Sequence, residues 1–289
     1  FVVADICDAC RLDAIMTHYA PDVIYHAAAY KHVPLMEDNP YEAIRNNIEG
    51  TRNVADLAVK HRAERFVLVS TDKAVNPANV MGATKRVAEL YTTFLDRQHA
   101  TRFIVTRFGN VLGSNGSMIP TVKKQIKKGG PVTVTHKEIT RYFMTIPEAC
   151  QLVLVAGSMG QGGEVFVFDI GELIRIYDLA VRMIKLSGLR YPEDIDIRIT
   201  GLRPGEKIYE ELMTSAEETE KTQNEKIMVA RVNNHYPTDF VERIDALIEG
   251  NHRGSYGAVN YKAVIAEMQF LVPEYVPMNS IFSEEDANQ

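Results

Sequence analysis

Apolar and polar positions fall in alternating blocks along the first 110 residues. Short apolar runs at 22–27, 65–70 and 102–107 are rich in Val, Ile and Phe and are bounded by polar or small residues. This is the pattern of strands buried on both faces. Between them, residues 9–18, 41–62 and 79–97 carry apolar side chains at three- and four-residue spacings, as amphipathic helices do. The opening residues Val2, Val3 and Ala4, before Asp5, read as the end of a further strand. Strands alternating with helices of about ten residues or more predict an α/β fold, a Rossmann-like doubly wound parallel sheet with helices on both faces.

After Gly109 the texture changes. Gly113, Gly116, Pro120, Gly129, Gly130 and Pro131 interrupt the pattern and the elements shorten. One more buried strand is expected at 164–169, with helices at 176–187 and 239–248. Residues 283–289 are polar and acidic and read as a frayed tail.

Composition narrows the function classes. The 289 residues are 46% hydrophobic and 24% charged, an ordinary globular balance that excludes a disordered or collagen-like chain. No apolar run approaches the ~18 residues of a membrane span, so no membrane contact is expected from this chain itself. The net charge is −6, and the densest basic cluster, Lys123-Lys124 with Lys127-Lys128, reads as a solvated helix face. A nucleic-acid partner is therefore not expected. Three cysteines cannot build a disulfide framework and fit a reducing, cytoplasmic location. Cys7 and Cys10 form a C-x-x-C, but no second such pair or close His pair accompanies it, so no metal site is expected. His32 and His136 read as structural histidines.

In a parallel sheet, ligands bind beyond the carboxyl ends of the strands. Three such ends carry chemistry here: Ala27-Ala28-Ala29-Tyr30-Lys31-His32, Ser70-Thr71-Asp72-Lys73, and Arg107-Phe108-Gly109-Asn110. Three small residues after a strand suit either a flat ligand against the backbone or close packing of helix on sheet.

Residues 70–90, STDKAVNPANVMGATKRVAEL, carry the closest likeness to a known family. They resemble the catalytic region of extended short-chain dehydrogenase/reductases, which place Ser or Thr at a strand end and a Y-x-x-x-K on the next helix. Here Met81 stands where Tyr is usual, and Lys85 takes the lysine position. That substitution, together with Thr71-Asp72-Lys73, resembles the membrane-associated, polysaccharide-biosynthesis branch of UDP-N-acetylglucosamine 4,6-dehydratases. The segments RFGNVLGSNGSMIP (107–120), TRYFMTIPEA (140–149) and GLRPGEKIYEEL (201–212) match the same family in the same order. The family's glycine-rich turn, G-x-x-G-x-x-G, is not in this sequence. The expectation is that the first βαβα unit lies upstream of Phe1, with membrane anchors further upstream at the inner face of the cell membrane.

The resemblance implies NAD, rather than NADP, as a tightly held cofactor and a UDP-sugar as substrate. It implies a dinucleotide-binding domain of residues 1–115 and about 147–171, and a smaller α+β substrate domain of about 116–146 and 172–289. It implies cofactor contacts from Asp5, Ile6, Ala27, Ala28, Ala29, Asn47, Ser70, Lys85, Phe108 and Gly109. In the implied reaction a hydride leaves C4, a base takes the C5 proton, the C6 hydroxyl departs as water, and the hydride returns to C6. Thr71 can hydrogen-bond O4. Asp72 can donate at C6 when protonated, and Lys73 can take the C5 proton when neutral, its pKa lowered by Lys85 and the oxidised nicotinamide. Met81 cannot exchange a proton, so Asp72 is the nearest group able to receive the one from O4. Lys85 would hold the nicotinamide ribose.

On the substrate side, Asn110, Arg141 and Arg203 suit a diphosphate, and Glu206 a ribose diol. Lys31 suits the sugar or a phosphate. Met118, Ile119 and Thr133 would flank the uracil, and Ser117 is a further candidate substrate contact. A nucleotide-sugar 4-epimerase and a non-catalytic nucleotide-sugar-binding fragment are the alternatives. Helices 41–62 and 79–97 are candidates for pairing two subunits into a homo-oligomer.

Overall fold

A computed structural model describes residues 1–169, 171–214, 217–232, 236–254, 261–280 and 282–283, the side chains of 251–254 excepted. Among these residues the main sheet has six strands: β1 (Val23–His26), β2 (Arg65–Val69), β3 (Arg102–Arg107), β4 (Val165–Phe168), β5 (Glu218–Lys221) and β6 (Ile227–Arg231). Their spatial order is β1-β2-β3-β4-β6-β5. The first four are parallel, and β6 and β5 continue the sheet antiparallel. Helices Gly50–Lys60 and Val80–Asp96 cover one face, and helix Ile146–Met159 covers the other. The chain is thus a Rossmann-type sheet with helices on both sides. A smaller apolar cluster around Val132, Ile176 and Ile195 holds helices Met118–Lys127 and Ile176–Leu186 against the two-stranded ladder of Val132–Val134 with Ile197–Ile199.

Several expected elements change on folding. Residues 2–5 form no strand; Val2 and Val3 are exposed, and β1 is the sheet edge on that side. The helix expected at 41–62 is built as Pro40–Ala43, a π-helical stretch Ile44–Glu49, and Gly50–Lys60. The wider turn fits the job of Asn47. Its buried side chain accepts from the Tyr30 amide at 2.8 Å and donates to the Tyr30 carbonyl at 3.0 Å and to Thr84 Oγ1 at 3.1 Å.

β5 and β6 extend the main sheet, and the helices Phe240–Gly254 and Tyr261–Leu271 pack Phe240, Ile244, Ile265 and Met268 into the same core as Val80–Asp96. These segments, expected in the smaller unit, share the core of the larger one. Helix Val80–Asp96 is consequently buried along nearly its whole length within the chain, so it has no open face for pairing with a second subunit. Residues 284–289 of the expected frayed tail lie outside the described residues.

Candidate active site

The carboxyl ends of β1, β2 and β3 open into a cavity of about 410 Å³, a size that suits a small ligand. Its floor is the start of helix Val80–Asp96, through Met81 and Lys85. Asn79 caps that helix by accepting from the Gly82 amide at 2.7 Å, and Asn79 Nδ2 donates to the Gly205 carbonyl at 2.9 Å. Gly205 has φ +70°, and a Cβ there would lie 2.4 Å from Asn79 Cβ. Only glycine brings the 203–206 turn so close to the helix start.

Beyond β2, Thr71 caps the single 3-10 turn Asp72–Ala74. Asp72 is 1% exposed. Its Oδ1 accepts from Thr71 Oγ1 at 2.8 Å and from Lys73 Nζ at 3.0 Å, while Oδ2 is buried with no partner among the described residues. Lys73 Nζ also donates to Asn110 Oδ1 at 3.3 Å and lies 3.5 Å from Glu210 Oε1. Burial pushes the Lys73 ammonium down, but Asp72 and Glu210 outweigh it and hold its pKa above the ordinary lysine value. The expected lowering of Lys73 is therefore reversed in this geometry, because two carboxylates face it while Lys85 is engaged elsewhere. Lys85 Nζ donates to the Val69 carbonyl at 2.8 Å; burial, partly offset by Glu89, brings its pKa down to about 8.

Beneath the cavity lies a buried charge network. Ser70 Oγ donates to Glu89 Oε1 at 2.6 Å, and Arg107 donates to Glu89 at 2.9 and 2.7 Å and to Glu217 at 2.9 Å. Burial alone would raise the Glu89 carboxyl, yet Arg107, Arg86 and Ser70 hold it at about 2.

The cavity gathers most of the expected residues. Ala27, Ala29, Ser70, Phe108 and Gly109 line it on the cofactor side. Thr71, Lys73, Met81 and Lys85 form its chemical centre, with Asp72 buried beside them. Lys31, Asn110, Ser117, Met118, Arg141, Arg203 and Glu206 line the remaining wall. Lys31 Nζ donates to Ser114 Oγ at 3.2 Å across the mouth.

Other expected residues lie outside it. Asp5 is exposed and pairs with Arg45 at 3.7 Å, and the Ile6 carbonyl accepts from Asn53 at 3.1 Å. Ala28 and Ile119 are not in the wall, and Thr133 accepts from Gln125 at 2.7 Å. Two residues of the wall are also engaged by the chain: Arg141 is buried, its Nη1 donates to the carbonyls of Thr140 and Ile208 at 2.7 and 3.3 Å, and its Nη2 lies 3.6 Å from Glu206. Glu206 in turn accepts from the Arg203 amide and the Thr135 hydroxyl at 3.1 Å each, as a turn-capping glutamate would. Glu210, His32 and Asn79 line the cavity without having been singled out as ligands. Nothing local marks Glu210, one of two adjacent glutamates; its burial does. Among the described residues no cluster of three or more His, Cys, Asp or Glu could hold a metal ion, and no helix is long and apolar enough to cross a membrane.

The fold is that of an extended short-chain dehydrogenase/reductase. More narrowly, the chain belongs to the family described as polysaccharide biosynthesis protein, which matches residues 1–232. It is 54% identical over 249 residues to the capsular polysaccharide biosynthesis protein CapD of Staphylococcus aureus, covering 86% of this chain and 41% of that protein. This chain thus spans about two-fifths of the length of such relatives. It is 36% identical to a UDP-N-acetylglucosamine 4,6-dehydratase (inverting) of Campylobacter jejuni, covering 74% of this chain and 62% of the other. It is 38% identical, with the same shares, to a UDP-glucose 4-epimerase of Rickettsia canadensis. The solved structure of Pen from Bacillus thuringiensis superposes with a TM-score of 0.72 at 36% identity, over 79% of this chain and 71% of that one. The UDP-glucose 4-epimerase of Thermus thermophilus, solved with NAD, shares the fold at 17% identity and a TM-score of 0.63, over 70% of this chain and 72% of that one.

Proposed function

We propose that the protein carries out NAD-dependent 4,6-dehydration of UDP-N-acetylglucosamine, giving a UDP-4-keto-6-deoxy sugar for bacterial polysaccharide or glycan synthesis. The observation that carries this reading is the buried Asp72 carboxylate. Thr71 and Lys73 share its Oδ1, and its Oδ2 has no partner among the described residues. A buried carboxylate oxygen without a donor is costly unless a ligand completes it.

NAD, when bound, takes the hydride from C4 and returns it to C6. Its nicotinamide end suits this cavity. Ala27, Ala29 and Gly109 have little or no side chain to obstruct a flat ring, and Lys85 presents a buried amine for the ribose hydroxyls. The glycine-rich turn for its pyrophosphate is not in this sequence, and no residue is assigned to that contact. Thr71 bonds O4 and passes its proton to Asp72, since Met81 cannot receive it. Asp72, now protonated, gives that proton to the departing C6 hydroxyl. Lys73, as the neutral amine, takes the proton from C5, which the C4 ketone has made acidic. Asn110 and Arg203, both in the cavity wall, would meet the diphosphate.

The Rickettsia relative favours a second reading, 4-epimerisation, in which no water is lost. Mass spectrometry after incubating the protein, expressed from its full gene, with UDP-N-acetylglucosamine and NAD separates the two. A product lighter by about 18 Da, one water, supports dehydration; an altered sugar of unchanged mass overturns it in favour of epimerisation.

A further inference from the structure

The proposed reaction leaves one proton without a place, and this inference rests on that reading. Asp72 holds the O4 proton from the moment C4 is oxidised until the C6 hydroxyl leaves. Lys73, an ammonium between two carboxylates, must lose a proton before it can take one from C5. One carboxylate cannot hold both protons.

Glu210 is the second carboxylate. It lies on the cavity wall, buried, with Oε1 3.5 Å from Lys73 Nζ and 3.7 Å from Arg141 Nε. It arrives from the 201–212 segment, whereas Asp72 arrives from the end of β2. We propose that Glu210 is a positioning residue that stores the Lys73 proton, leaving the amine neutral for C5. The protons balance. Lys73 gives one to Glu210, then takes one from C5, and returns it to C5 when the hydride reaches C6. Glu210 then hands its proton back to Lys73.

The surroundings suit the exchange. Burial holds the Glu210 carboxyl above its ordinary value, opposed by Lys73, while Asp72 adds to the rise and Arg141 and Lys207 oppose it. The charged groups facing Lys73 are Asp72, Glu210 and Arg141, with Lys31 across the mouth.

The test compares wild type with Glu210→Gln, in the protein expressed from its full gene. Three quantities are followed: loss of water from the sugar, reduction of the nicotinamide by its near-ultraviolet absorbance, and entry of solvent deuterium at C5. In Glu210→Gln, reduction should persist, while deuterium entry and turnover fall about a hundredfold or more at neutral pH, the scale of a lost acid–base partner. Turnover should recover about tenfold per pH unit toward alkaline pH, as solvent takes the Lys73 proton instead. A merely structural role would not restore activity in this way. Deuterium entry at the wild-type rate, or a flat loss at every pH, overturns the assignment. If Glu210→Gln does not fold, Glu210→Asp decides. Its withdrawn carboxylate should slow deuterium entry with nicotinamide reduction intact, and unchanged entry overturns the assignment. A wild-type product of unchanged mass would end the dehydration reading and this inference with it; failure of the Glu210 arms alone leaves dehydration standing.

Discussion

Gly82 lies directly against the Lys73 carbonyl: a Cβ on Gly82 would sit 2.1 Å from that oxygen. The residue after Met81 must therefore be glycine for helix Val80–Asp96 to touch the Thr71–Lys73 turn, and this contact brings Met81 and Lys85 close to Thr71 and Lys73. Gly82→Ala should push them apart. Alanine's helix propensity recovers about 1 kcal/mol, but a clash with backbone costs about 1–3 kcal/mol. The expected net is a modest fall in the unfolding midpoint with a loss of turnover of about a hundredfold, since a displacement of about 1 Å at reacting groups has that effect. Thermal unfolding and steady-state kinetics on one preparation check both; normal turnover would show that the turn tolerates the shift.

Asp72 and Met81 should respond in opposite ways. Asp72→Asn keeps the shape but removes the proton acceptor, and turnover is expected to vanish. Met81 is 3% exposed and fills space beside the cavity. Met81→Leu conserves volume, should cost less than about 1.5 kcal/mol, and should keep most of the activity. Near-normal activity in the Asp72 variant would overturn its role as the proton carrier.

The sheet was legible because its signals are local. β3 begins and ends where the apolar run 102–107 does, and the helices at 79–97 and 176–187 end within a residue or two of Val80–Asp96 and Ile176–Leu186. β5 was not legible. Its four residues, Glu218–Lys221, are all exposed, and an edge strand held only by pairing with β6 carries no apolar pattern. The site divides the same way. Thr71, Lys73 and Lys85 stood out only through the resemblance of residues 70–90 to a known family, and folding brings them into one cavity. Glu210 did not stand out, because what makes it chemical is Lys73, brought to it from 137 residues away in sequence by the fold. Arg141 and Glu206 line the cavity and also bond the chain itself, a second set of partners that their motif did not reveal.

Lys85 gives a pH-dependent prediction for cofactor binding. Its pKa of about 8, lowered by burial, means that the amine is charged at neutral pH and loses that charge as pH rises through about 8. If the cation orients the nicotinamide ribose, NAD affinity should weaken across that range, and Lys85→Met should bind NAD weakly at every pH with no such inflection. Calorimetric titration with NAD at several pH values checks this; an unchanged affinity through pH 8 removes the charge from the contact.

The buried Glu89 network makes the last prediction, on acid stability. Glu89 has a folded pKa of about 2 against an ordinary 4.5, held down by Arg107, Arg86 and Ser70 against the opposing effect of burial. A depressed carboxyl contributes stability that is complete above its unfolded pKa and is lost as pH falls through the folded one. The window is therefore from about pH 5 down to about pH 2, and the shift corresponds to roughly 3 kcal/mol at neutral pH. Glu89→Gln should remove that acid-sensitive component. At neutral pH the variant should be less stable by about 3–5 kcal/mol, because Arg107 is left buried without its nearest countercharge. Below pH 3 the two proteins should approach each other. Denaturant unfolding across the pH range measures the difference. A gap that stays constant from pH 7 to pH 2 would mean that Glu89 contributes shape and hydrogen bonds, with its charge making no net difference.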